Sequence, residues 1–121
     1  MAYVEIQPKS KNVQELLISR QNEIYDALGE CVLSTFDIPE TDMILEIQEC
    51  RTVSFDPLAV KLESAPDVVI KLNTSDVQFK DRADELADKI VNAWKKLFGT
   101  EIAMECWIHF FHAWGCSIDF E

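Results

Sequence analysis

Four short stretches of the chain predict β-strands, three by alternation of apolar and polar residues and one by a continuous apolar run. The first covers residues 3–6 and ends before Pro8, and the second covers residues 43–48. The third, residues 68–72, is a β-branched run typical of a buried strand. The fourth covers residues 102–111 and is the longest of the four.

Two further stretches carry apolar residues at three- and four-residue spacing, which predicts two long helices. The first follows Ser10, a suitable N-cap residue, and ends by Asp37. Gly29 lies inside it and weakens a helix by roughly 1 kcal/mol, so we expect the helix to bend or loosen there. The second covers residues 83–98, and Gly99 occupies its C-cap position.

The segments between these elements carry turn-forming residues. Residues 73–76 (NTSD) supply turn and capping chemistry after the third strand. Residues 51–66 contain two prolines and no sustained period, so we expect a connection, with one helical turn at residues 58–62. The tail from Trp114 onward is expected to add a short edge strand.

The order strand, helix, strand occurs twice, in halves of about residues 1–52 and 66–121, and 121 residues suit a single α+β domain. Because βαβ crossovers are right-handed and pair parallel strands, we expect a four-stranded mixed sheet with two helices on one face. The other face would expose Trp107 and Phe111. We therefore expect copies of the chain to assemble through that face.

Charge narrows the range of partners. The net charge of -11 repels phosphate backbones and anionic lipid surfaces, so neither nucleic acid nor membrane is an expected partner. The first residues lack a basic stretch followed by an apolar run, and no apolar stretch approaches the ~20 residues that a membrane span needs. We therefore expect a cytoplasmic protein whose four cysteines are reduced thiols.

Cys106, His109, His112 and Cys116 lie close together and superficially resemble a zinc signature. On a continuous strand Cys106 and His109 point to opposite faces, and their spacing fits no standard zinc finger. We favour ordinary packing for these side chains over a metal site or a cysteine nucleophile. The chain has three glycines and no phosphate-binding loop, so we expect no cofactor.

Three passages carry a resemblance to a known family. Residues 37–42 (DIPETD) lead into a strand, residues 69–73 (VIKLN) lead towards a helix, and Trp114-Gly115 stands near the end. In this order and spacing, on a tandem βαβ repeat, they resemble the tautomerase superfamily, which includes macrophage migration inhibitory factor and the oxalocrotonate-type tautomerases. The resemblance implies a trimer whose sheets enclose a barrel.

The resemblance also implies a site. In that family the amino-terminal proline, exposed by methionine removal, transfers a proton, and nearby cations bind the substrate carboxylate. Here Ala2 stands at that position, and its α-amine would have an ordinary pKa of about 7.7 to 8.0. Lys9 and Arg51 are the cations that would bind a small oxo acid during keto-enol isomerisation.

Two other interpretations stay open at this point. Because alanine provides neither a secondary amine nor a fixed ring, the chain is equally well a non-catalytic trimer with a binding or structural role. The repeated βαβ pattern is also compatible with a ferredoxin-like module, which pairs as a dimer.

Overall fold

The computed structural model describes residues 1–50, 66–112 and 115–116. The helices and strands are β1 (Ala2–Pro8), α1 (Lys11–Ser19), α2 (Gln21–Phe36), β2 (Met43–Ile47), β3 (Val68–Thr74), α3 (Ala83–Phe98) and β4 (Met104–Phe110). Two short 3-10 turns, Glu40–Asp42 and Val77–Arg82, precede β2 and α3. The predicted connection, with its helical turn and Arg51, lies outside the described residues, as does nearly all of the predicted tail strand.

The strands form one four-stranded mixed sheet in the order β2-β1-β3-β4, as predicted. Within each half the two strands are parallel neighbours, and the central pair β1/β3 is antiparallel. Tyr3 lies opposite both Ile44 and Asn73, and Asn73 lies opposite His109. These four residues therefore form one row across the sheet.

The helices cover one face of this sheet, as predicted, and the core lies between them. Every second residue of β1 points into it, and Val4 and Ile6 are at most 1% exposed. Trp94 of α3 is 2% exposed, and its indole Nε1 donates to the carbonyl of Ile102 at 3.2 Å. Complete burial of an aliphatic side chain such as Val4 or Ile6 contributes roughly 1.5 to 3 kcal/mol to stability.

The first helical segment breaks at Arg20, and the prediction of a bend at Gly29 was wrong. Arg20 leaves helical geometry at φ −117° and ψ 23°, which divides the segment into α1 and α2. Its guanidinium donates to the carbonyl of Leu97 at 2.7 Å and lies 4.7 Å from the ring centre of Phe98. Gly29 is buried inside α2, where a Cβ would lie 3.2 Å from Met43 Cε. The atom nearest to this Cβ position is therefore the flexible end of a side chain on β2.

Two strands are longer than the sequence pattern predicts. β1 continues through Pro8, and β3 continues through Asn73 and Thr74, which were expected in a turn. The turn begins only at Ser75, and the backbone N–H of Asp76 donates to Thr74 Oγ1 at 3.1 Å. Strand pairing with β1 and β4 outweighs the local turn preference of this sequence.

Both predicted helix caps are confirmed. Ser10 Oγ accepts from the backbone N–H of Val13 at 3.2 Å, and Gly99 ends α3 with a φ of 64°. Among the described residues, no helix has the length and apolar character that crossing a membrane requires.

Candidate functional site

The amino-terminal amine lies at one end of the sheet between two aspartates. The Met1 nitrogen is 3.2 Å from Asp42 Oδ1 and 3.1 Å from Asp76 Oδ2. Asp42 ends the turn before β2, and Asp76 follows β3. Because β2 runs parallel to β1 and β3 runs antiparallel to it, the start of β2 and the end of β3 both flank the start of β1. The topology of the sheet therefore brings both carboxylates to the amine.

These contacts determine the charge of the amine. Burial lowers the pKa of the Met1 amine, but hydrogen bonds and attraction from Asp76 and Asp42 outweigh that effect and raise it above its ordinary value. The amine is thus held as an ammonium ion near neutral pH. In that form it donates protons and cannot accept them.

Ala2 lies inside the sheet. It is 1% exposed and is paired with Met43 on one side and Thr74 on the other, with its side chain in the core. If Met1 were removed, the new amine would start between β2 and β3, next to the residues that precede Met43 and follow Thr74.

Within one chain, the structure does not bring Lys9 to Ala2. The two residues stand at opposite ends of β1, about 23 Å apart at the usual rise of a strand. The backbone N–H of Lys9 donates to the carbonyl of Asp67 at 2.9 Å. Lys9 can reach the amine of Ala2 only from a neighbouring copy of the chain. Arg51, the second predicted cation, lies outside the described residues.

A small open hollow lies on the uncovered face, over β1 and β2. Its volume is about 220 Å³. It is lined by Tyr3, Val4, Glu5, Ile44, Glu46 and Asn73. This lining combines an aromatic hydroxyl, an amide and two carboxylates with apolar side chains, and it contains no basic side chain.

The uncovered face is apolar at several exposed positions, as predicted. Trp107 is 54% exposed, Tyr3 45%, Phe111 39% and Ile44 38%. Polar side chains lie among them, and Asn73 contacts both Glu5 and His109. We call this surface the open face; it comprises the side chains of β1 to β4 that point away from the helices, together with Phe111 directly after β4.

The cysteine and histidine cluster is divided between the two faces of β4. Cys106 packs against the core beneath the helices, whereas His109 is exposed. Burial raises the pKa of the Cys106 thiol to about 11, which makes it a poor nucleophile at neutral pH. Across residues 1–50, 66–112 and 115–116, no three His, Cys, Asp or Glu side chains are placed to hold a metal ion.

Sequence reasoning missed three residues of this region. Asp42 appeared only as part of a family-like passage, Asp76 only as a turn former, and Asn73 in both of these ways. No local signal marks Asp42 and Asp76 as neighbours of the amine, because their proximity depends on the pairing of three strands. Asn73 could have been found by extending the predicted third strand by two residues, to Thr74.

Comparison with known proteins supports the fold. No protein-family model matches the chain, and no curated protein sequence matches it. Among solved structures, Pt0534 inactivated by 2-oxo-3-pentynoate aligns with a TM-score of 0.63 at 11% identity, over 90% of this chain and 85% of that one.

Two further structures are similar to this chain. FG41 malonate semialdehyde decarboxylase inhibited by 3-bromopropiolate gives a TM-score of 0.52 at 13% identity, over 98% of this chain and 89% of that one. A domain of unknown function (DUF1904) from Sebaldella termitidis gives 0.53 at 16% identity, over 93% and 90%. The chain therefore has a tautomerase-like fold.

Proposed function

We propose that this protein is a tautomerase-like isomerase that moves a proton on a small oxo or enol acid, in a pocket between the subunits of a homotrimer. In this proposal the chain is a single cytoplasmic domain with halves at residues 1–52 and 66–121, and it needs no cofactor. The observation that carries the proposal is the amino-terminal amine held at the end of the sheet by Asp42 and Asp76. Removal of Met1 would transfer this role to the amine of Ala2.

The raised pKa of the Met1 amine supports an order of proton transfers in which the amine starts in its acid form. The ammonium ion would donate its proton to the carbon of an enol, and the resulting free amine would then take the proton of the hydroxyl group. The enol becomes a ketone, and the amine ends in the form in which it began. This order starts from the acid form of the amine.

The two aspartates make the surroundings of the amine negative, so cations from elsewhere must bind a substrate carboxylate. Lys9 from a neighbouring subunit and Arg51 are the proposed cations. Two of the similar structures were solved with small reactive acids, 2-oxo-3-pentynoate and 3-bromopropiolate, which supports an acid of this size as the ligand.

Assembly through the open face completes the pocket in this proposal. The exposed side chains of β1 and β2 on that face, Tyr3 and Ile44 among them, are the expected contacts between copies. Sedimentation should give a mass three times the 13.9 kDa of one chain, and Ile44→Lys should lower it. A protein that sediments as a dimer, or an Ile44→Lys variant that assembles normally, would contradict this arrangement.

A non-catalytic role is the second candidate, and one observation favours it. The amine of a retained Met1 is occupied by two ion pairs, which anchor the first strand, and Ala2 cannot supply the secondary amine of proline. On this reading the fold persists as a trimer that binds a small oxo acid or another partner without converting it.

Tautomerisation rates separate the two candidates once intact mass has defined the amino terminus. We would measure ketonisation of phenylenolpyruvate and 2-hydroxymuconate by the parent, Ala2→Pro and Asp76→Asn, with Asp88→Asn as an exposed control on α3. The isomerase proposal predicts turnover above buffer in the parent. It also predicts that Asp76→Asn moves the alkaline limit of the rate to lower pH, while Asp88→Asn leaves it in place.

The other outcomes are equally informative. An inactive parent with an active Ala2→Pro variant would support a binding protein that retains the pocket. Inactivity in both would contradict the proposed pocket and leave the structural role.

A further inference from the structure

A chain of hydrogen bonds crosses three strands of the open face. Asn73 Nδ2 on β3 donates to Glu5 Oε2 on β1 at 3.3 Å, and Asn73 Oδ1 lies 3.1 Å from His109 Nδ1 on β4. Asn73 and His109 stand directly opposite each other in the ladder between β3 and β4. The strand register therefore places the two residues side by side, and their side-chain rotamers complete the contact.

This chain of contacts determines which imidazole nitrogen carries the hydrogen. A carboxylate only accepts hydrogen bonds, so the amide nitrogen of Asn73 must face Glu5 and the amide oxygen must face His109. The amide oxygen also only accepts, so Nδ1 of His109 carries the hydrogen and donates it. In the neutral imidazole, Nε2 is then left with its lone pair on the other side of the ring.

Exposed aromatic side chains flank His109. Trp107 lies two residues before it in β4, about 6.7 Å along the strand, and is 54% exposed. Phe111 follows β4 two residues after His109, is 39% exposed, and its backbone N–H donates to the carbonyl of Thr74 at 3.1 Å. Nearby charges are mixed, since Glu105 accepts from the indole of Trp107 at 3.4 Å and Lys71 is paired with Trp107 in the ladder. Nε2 of His109 is thus a hydrogen-bond acceptor with an exposed aromatic side chain on either side of it in the chain. This arrangement suits a flat, uncharged ligand whose hydroxyl group donates a hydrogen bond.

We propose that His109, Trp107 and Phe111 form a binding site for neutral aromatic hydroxyl compounds. The hydroxyl group of the ligand donates to Nε2 of His109, and its ring packs on the flanking aromatic side chains. Asn73 and Glu5 are positioning residues that keep Nε2 free of hydrogen. The site does not depend on the amino-terminal amine, so it stands or fails separately from the proposed isomerase.

The position of the site is compatible with assembly. β4 is an outer strand of the sheet, and His109 lies one residue pair from the end of its ladder with β3. Copies that meet across the centre of the open face would leave this corner at the rim. The experiments below therefore use the full chain in whatever assembly it forms.

Phenol and anisole provide a matched pair of probes, because they share a ring and only phenol donates a hydrogen bond. We expect NMR titration of the parent to show phenol perturbing the His109 and Trp107 signals and binding about 2- to 10-fold more tightly than anisole, the range for one net hydrogen bond. His109→Ala should remove this preference. His112→Ala changes a neighbouring exposed histidine and should retain it.

The positioning role has its own measurement. Nitrogen-15 shifts of the imidazole, recorded in its neutral form, should show hydrogen on Nδ1 of His109 in the parent. Asn73→Leu should shift the population towards hydrogen on Nε2 and reduce the preference for phenol. Gln7→Leu, an equivalent change on the same face of β1, should alter neither.

Four results would overturn the proposal, and three of them need no variant. A parent protein with hydrogen on Nε2 would contradict the hydrogen-bond chain. Equal affinity for phenol and anisole, or no perturbation of His109 by phenol, would contradict the site. Retention of the phenol preference in a folded His109→Ala variant would assign it to another group.

Discussion

The two faces of the sheet are built from the same four strands and serve different purposes. On the face under the helices, Ile6, Ile70 and Leu72 are completely buried. On the open face, Tyr3 and Trp107 are about half exposed and lie among the polar chain that contains Asn73. Because successive side chains of a strand point in opposite directions, adjacent residues belong to different environments. Stability therefore depends on one face, and the candidate chemistry lies on the other face and at its edge.

The sharpest test of this comparison changes the same residue type on each face. Ile6 is 0% exposed in β1, and Ile44 is 38% exposed in the neighbouring strand β2. Ile6→Ala should reduce the free energy of unfolding by about 2 to 5 kcal/mol, because it removes buried methyl groups and leaves a cavity. Ile44→Ala should cost less than about 1 kcal/mol at low protein concentration. Urea denaturation measures both.

Protein concentration extends this test to assembly. If a second copy covers the open face, the loss of unfolding free energy caused by Ile44→Ala should grow with protein concentration. The loss caused by Ile6→Ala should be present at every concentration, because it arises inside one chain. Equal losses for the two variants at every concentration would contradict the division between the faces.

Two glycines test the helical layer on the covered face, with opposite expected signs. Gly99 ends α3 at a φ of 64°, which strains other residues, so Gly99→Ala should destabilise the protein by about 1 to 3 kcal/mol. Gly29 lies inside α2, where a new Cβ would meet only the flexible end of Met43 at 3.2 Å. Gly29→Ala should stabilise by about 0.5 to 1 kcal/mol. Thermal unfolding measures both. A destabilising Gly29→Ala would show that neither Met43 nor α2 can shift to make room for the added methyl group.

Much of the fold could be predicted from the sequence, because alternation and helical spacing are local signals. The caps at Ser10 and Gly99 and the apolar open face with Trp107 follow from such signals. The break at Arg20 could not be predicted, because the apolar pattern continues across it, and what holds Arg20 is its contact with the end of α3. Tertiary contact decided that break.

The candidate site was less predictable for the same reason. Asp42 and Asp76 reach the amine through the pairing of β1 with β2 and β3, and residues 34 positions apart carry no local signal of this contact. Asn73 has a strong turn preference, yet pairing with β4 places it in a strand opposite His109. The resemblance to tautomerases directed attention to the amino terminus, but the charges around the amine follow only from the structure.

The smallest expected effect concerns the amine at the edge where the two faces meet. Its pKa is raised in the folded protein, so its stabilising contribution is fully present below the pKa of the unfolded chain, about 7.7 to 8.0, and is lost as pH rises through the folded value. Burial also raises the thiol pKa values of Cys31 and Cys106, and these groups add a loss of the same sign at higher pH. Comparison with Asp76→Asn isolates the amine, because the thiols are common to both proteins. The parent should lose stability more steeply than Asp76→Asn from just below pH 8 upward, as measured by urea denaturation across that range, and parallel curves would show that the ion pair contributes nothing to folding.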